Sequence, residues 1–130
     1  MVLVDTSVWV DYFRGKETLE TFYLANAIGE NVDICISGII LAEILQGISS
    51  EKEYHSVKFL LDRTLIFLPM LKESYELAAQ IYRQAKQHGR AIRNTIDCLI
   101  ASCAICHHAQ LLQSDKDYLV ISQFSKLKLV

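Results

Sequence analysis

Short apolar runs alternate with helical stretches along almost the whole chain, and that alternation constrains the fold more than any other feature. A first strand is expected over 2–5, where VLV runs straight into Asp5, DICIS covers 33–37, TLIFLP covers 64–69, QLLQS covers 110–114, and LKLV lies at 127–130. These runs read as strands, the opening one as a short strand buried on both faces. Between them lie segments with helical spacing. Residues at about 6–14 form a short helix ending near Gly15, and ETLETFYLANAI spaces Leu19, Phe22, Tyr23 and Ala27 at helical intervals. GIILAEILQGI follows the second strand at once, and EKEYHSVKFLLDRT is amphipathic. A long helix from about Lys72 to His88 stops at Gly89. TIDCLIASCAICHHA starts another, with Asn94 or Thr95 as its N-cap, and DKDYLVISQF reads as a turn and a short helix. Strands separated by helices of this length predict an α/β fold with a mostly parallel central sheet. In such sheets ligands bind beyond the carboxyl ends of the strands. Two acids fall there: Asp5 after VLV and Asp115 after QLLQS.

At 130 residues the chain is expected to form one domain spanning 1–130, with 52% apolar and 22% charged residues and no disordered signature. No apolar stretch approaches the ~20 residues of a membrane span, and no basic region precedes a cleavable apolar segment. Three of the four cysteines, Cys98, Cys103 and Cys106, crowd into one helix, apart from Cys35. That is no disulfide framework, and a reducing cytoplasm is expected. The net charge of −2 does not announce a nucleic-acid binder, yet RQAKQHGRAIRN carries Arg83, Lys86, Arg90 and Arg93 with no acid among them.

Four acids have ordinary explanations singly. Asp5 caps a helix or sits at a site. Glu43, in the apolar run IILAEIL, is expected to be buried, either paired with an arginine or part of a site. Asp97 suits the first turn of its helix, and Asp115 and Asp117 suit a turn. Together they differ, because each of Asp5, Glu43, Asp97 and Asp115 lies at a strand end or near the start of a helix that follows one. Converging on one edge, they would repel: a like-charged pair about 4 Å apart costs about 4 kcal/mol at an effective dielectric of about 20. A hard divalent cation with oxygen ligands removes that cost and serves phosphoryl chemistry.

In order, VDTSVW, AEILQG, TIDCLIAS and SDKDYLVI resemble the PIN-domain ribonucleases, in particular the VapC-like toxins of toxin–antitoxin pairs. The likeness spans essentially the whole chain. It implies a three-layer α/β/α fold and an endoribonuclease that uses Mg²⁺ or Mn²⁺. By that resemblance Asp5 and Asp97 are the principal metal ligands and Glu43 and Asp115 complete the catalytic quartet. Thr6 and Ser7 would hydrogen-bond a carboxylate or a metal-bound water, and Asp117 is more structural than catalytic. A metal-activated water would attack the phosphodiester and leave 5′-phosphate and 3′-hydroxyl ends. Arg83, Lys86, Arg90 and Arg93 either meet RNA phosphates or, for Lys86, His88 and Arg90, complement a helix dipole. The family further implies a homodimer and an antitoxin helix in an apolar groove, for which LETFYLANAI and the helix after it, with Phe22, Tyr23 and Leu24, are the candidate. Trp9 and Phe13 read as core. The rival reading is a PIN-like binding module without nuclease activity.

CAICHH contains C-x-x-C-H, the spacing of c-type haem attachment, in Cys103, Cys106 and His107. Inside an apolar helix it reads as core packing, with Cys103 beside Ile96 and Ile100, and neither haem nor zinc is expected. No glycine-rich phosphate loop is present.

Overall fold

A computed structural model describes residues 1–130. Its elements run β1 (Val2–Val4), α1 (Thr6–Phe13), α2 (Leu19–Gly29), β2 (Ile34–Ser37), α3 (Gly38–Gln46) and α4 (Glu51–Thr64). They continue β3 (Ile66–Leu68), α5 (Lys72–Gln87), α6 (Thr95–Cys106), β4 (Gln110–Leu112), α7 (Lys116–Gln123) and β5 (Lys128–Leu129). The five strands form one sheet in the order β3-β2-β1-β4-β5, and every pairing is parallel. With its seven helices the sheet makes the three-layer α/β/α architecture.

β1 is central, which explains its composition. Val2, Leu3 and Val4 are all buried, as are Ile34, Cys35 and Ile36 of β2 beside them and Leu111 and Leu112 of β4 on the other side. Each fully buried aliphatic side chain contributes about 1.5–3 kcal/mol relative to exposure. The chain first builds outward from β1 to β3, then returns through α5 and α6 to add β4 on the far side of β1. The strand order therefore reverses between β1 and β4, the switch point at which open α/β sheets form their ligand crevice. Val4 registers with Leu112, and the Asp5 amide donates to the Leu112 carbonyl at 2.9 Å. Asp5 and the turn that follows β4 are thereby held side by side.

Several boundaries differ from the sequence reading for local reasons. β1 stops at Val4 because Asp5 turns away to cap α1, its carboxylate accepting the Ser7 amide. α5 ends at Gln87, and the chain leaves it through Gly89 at φ +73°, a conformation that costs a side-chain-bearing residue far more. Asn94, not Thr95, is the N-cap of α6. Phe13 is not core: it is 44% exposed and stacks on buried Trp9 with ring centroids 5.7 Å apart. Leu24, conversely, is wholly buried and belongs to the core, while Phe22 and Leu19 stand out from α2. Cys103 is buried with Ile100, but Cys106 is exposed at the end of α6, and His107 Nε2 lies 2.7 Å from the Pro69 carbonyl.

Candidate metal centre at the carboxyl edge of the sheet

Asp5 is buried (7% exposed) and both of its oxygens are engaged. Oδ1 accepts from the Tyr118 hydroxyl at 2.9 Å, and Oδ2 accepts from Ser7 Oγ at 2.7 Å and more loosely from the Ser7 amide. Ser7 Oγ also meets Ser114 Oγ at 3.0 Å, tying α1 to the turn after β4. These bonds fix the rotamer of Asp5. Thr6 points the other way and donates to Glu43 Oε1 at 2.8 Å. Glu43 is half-buried rather than buried, since α3 packs Ile40 and Ile44 inward and leaves the glutamate at the rim.

Asp97 lies in the first turn of α6, half-buried, with its amide on the Asn94 carbonyl. Asp115 caps α7 and accepts the Asp117 amide at 2.9 Å. That short Asx cap brings both aspartates of S-D-K-D-Y toward α6, and one oxygen each from Asp97, Asp115 and Asp117 lie within 4.8 Å of one another. Asp117, expected to be structural, thus stands in the cluster. Burial pushes the Asp97 carboxyl up to about 6 from its ordinary 3.8, and the charges of Asp115, Asp5 and Asp117 push the same way. A hydrogen bond from Tyr118 opposes them. Burial first, then the Asp5 charge, drives the Tyr118 phenol far above its usual range, so it remains a neutral donor to Asp5. Tyr118 went unremarked in the sequence; its only signal is its place directly after the second aspartate of D-x-D.

The basic residues separate. Arg93 reaches the cluster, with Nε 3.2 Å from Asp117 Oδ2 and Nη2 3.4 Å from Asp115 Oδ1. Arg83, Lys86 and Arg90 remain exposed, Arg83 in contact with Gln80. His88 Nδ1 sits 2.8 Å from the Gln84 carbonyl, at the C-terminal end of α5.

The donor set is all oxygen, hard and anionic, with no cysteine or histidine in it. The half-buried Asp97 carboxyl, pushed up to about 6 by burial and by three neighbouring carboxylates, sits in negative charge that the exposed Arg93 offsets only in part. Those residues fit Mg²⁺ or Mn²⁺. A surface groove of about 540 Å³ lies elsewhere. Trp9, Tyr12, Phe13, Ile28, Leu60 and Ile66 are among the residues that line it, with the amino ends of β2 and β3 rather than their carboxyl ends.

Residues 2–123 match the PIN domain family. The chain belongs to that family. It is 33% identical to the VapC ribonuclease Mb1587 of Mycobacterium bovis, over 98% of this chain and 96% of the relative. The ribonuclease VapC11 of Mycobacterium tuberculosis matches to the same extent. Among solved structures, VapBC2 of Rickettsia felis bound to a promoter DNA fragment superposes with a TM-score of 0.76 at 23% identity, covering 100% of this chain and 98% of the other. VapBC-1 of nontypeable Haemophilus influenzae gives 0.77 at 20% identity, covering 100% and 97%. FitAcB of Neisseria gonorrhoeae gives 0.75 at 21%, covering 99% and 96%. These structures share the fold.

Proposed function

We propose that this protein is a Mg²⁺- or Mn²⁺-dependent endoribonuclease, the toxin of a toxin–antitoxin pair acting in the cytoplasm. One observation carries the reading: Asp97, Asp115 and Asp117 converge beside a rigidly held Asp5 at the switch point of the sheet. Near-full-length likeness to VapC ribonucleases supports it. A bound Mg²⁺ or Mn²⁺ would supply an acidified water and neutralise charge growing on the phosphate. Asp97, Asp115 and Asp117 would hold the cation. Asp5, pinned by Tyr118 and Ser7, adds its charge beside them, and Glu43, oriented by Thr6, lies at the rim. Water rather than the ribose 2′-hydroxyl is the nucleophile, which leaves 5′-phosphate ends.

The apolar groove over Trp9, Phe13, Leu60 and Ile66 suits an amphipathic antitoxin helix. Of α2 only Ile28 lines it; Phe22, Tyr23 and Leu24, the surface expected from the sequence, lie outside it. Exposed Phe67, Leu71 and Tyr75, around the β3 edge, offer a face for a homodimer.

The test is cleavage of a mixed RNA pool by the purified chain with Mg²⁺, with Mn²⁺ and with EDTA, beside Asp97→Asn. Cuts bearing 5′-phosphates that vanish with EDTA and in the variant are expected. Cutting that survives both refutes the mechanism. No cutting despite metal binding turns the reading to a binding module.

A further inference from the structure

Arg93 is the one basic side chain in contact with the acids of the site; the other ion pairs, on Lys16, His55, Lys58 and Lys72, lie elsewhere. Its guanidinium lies against Asp115 and Asp117, two of the three residues whose oxygens converge. A guanidinium and a divalent cation therefore draw on the same carboxylates. The arginine's hold is light. Its side chain is 75% exposed, and exposed ion pairs are weak. It stands outside α6, ahead of the Asn94 cap, whose side chain accepts the Ile96 amide at 2.9 Å. It can turn away without disturbing Asp97.

A divalent cation brings twice the charge to those oxygens and repels the guanidinium beside it. An arginine displaced in this way needs an anion, and the planar fork of guanidinium donors matches a phosphate bidentately. We propose that Arg93 is the resident counter-ion of the acidic cluster and that cation binding hands it over to a phosphate of the RNA. Arg93 then differs in kind from Arg83, Lys86 and Arg90: it couples metal loading to substrate binding. The phosphate half rests on the ribonuclease reading above, whereas the counter-ion half stands on metal binding alone.

The experiment compares the full chain with Arg93→Gln and Arg93→Lys. Calorimetric titration with Mn²⁺, without RNA, should show Arg93→Gln binding the ion roughly three- to tenfold more tightly, with Arg93→Lys near wild type. Anisotropy of a labelled mixed-sequence single-stranded RNA is then followed with Mn²⁺-loaded protein at low temperature, intact RNA being checked on a gel. Arg93→Gln should bind it about tenfold more weakly, and its slope of log K against log salt should fall by about 0.7. Opposite signs in the two titrations are the signature. Unchanged or weakened Mn²⁺ affinity in Arg93→Gln overturns the counter-ion role. Unchanged RNA affinity and salt slope overturn the phosphate role. A wild-type chain that binds Mn²⁺ but no RNA removes the phosphate role together with the ribonuclease reading, and the metal titration still decides the rest.

Discussion

Asp97→Asn should stabilise the metal-free protein, and only above a definite pH. The folded-state carboxyl of Asp97 titrates at about 6 against 3.8 in the ordinary case. At about 1.4 kcal/mol per pH unit, the ionised acid costs the native state on the order of 3 kcal/mol. The sign follows from which state ionises first. Below about pH 4 both states hold the proton and the penalty is absent. Between 4 and 6 the unfolded chain loses its proton while the folded chain keeps it, and stability falls. Above 6 the full penalty is present. Asparagine has nearly the same shape and never ionises. Urea unfolding in EDTA at pH 4, 6 and 7.5 should therefore show the variant gaining on wild type by roughly 3 kcal/mol across that range, relative to their difference at pH 4. That is a large share of the roughly 5–15 kcal/mol of a typical domain. Adding Mg²⁺ should reverse the order, because the cation stabilises only the chain that binds it. A difference that stays flat with pH, or a variant less stable at pH 7.5 than at pH 4 relative to wild type, would refute the claim that Asp97 is held under electrostatic strain.

Tyr118→Phe removes one hydroxyl and keeps the packing of a fully buried ring. It should lower Mn²⁺ affinity by about tenfold, the usual effect of losing a group that orients a ligand, and calorimetry reads it directly. Phe13→Glu with Leu60→Glu puts charge into the apolar groove, where both side chains are half-exposed, so the fold should survive. Co-expressed with its antitoxin, this double variant should arrest growth while wild type does not, and its RNA cleavage in vitro should match wild type.

Much of the architecture was legible in the sequence because apolar runs of three or four residues have few uses other than as central strands. β1, β2 and β4 follow that rule. The all-parallel order follows from the helices between them. Asp5 caps α1, one of its two alternatives, and its charge reaches Asp97 of the acidic cluster. Phe13 and Leu24 show where the reading runs out. Helical spacing tells which side chains share a face, not what covers that face, and nothing but the groove lies over Phe13. Asp117 and Tyr118 were obscured differently. A turn rich in aspartate reads as solvent-facing until the Asx cap at Asp115 is known to rotate both residues toward α6. Arg93 meets Asp115 and Asp117 across more than twenty positions of sequence, a contact no local pattern reports.

The most direct test of the metal centre is a crystal structure grown with Mn²⁺, with anomalous scattering collected to locate the ion. The account predicts a peak within bonding distance of carboxylate oxygens from Asp97 and at least one of Asp115 and Asp117, next to Asp5, with the Arg93 guanidinium withdrawn. A peak away from these acids, or an empty cluster with Arg93 still seated on Asp115 and Asp117 at saturating Mn²⁺, would contradict it.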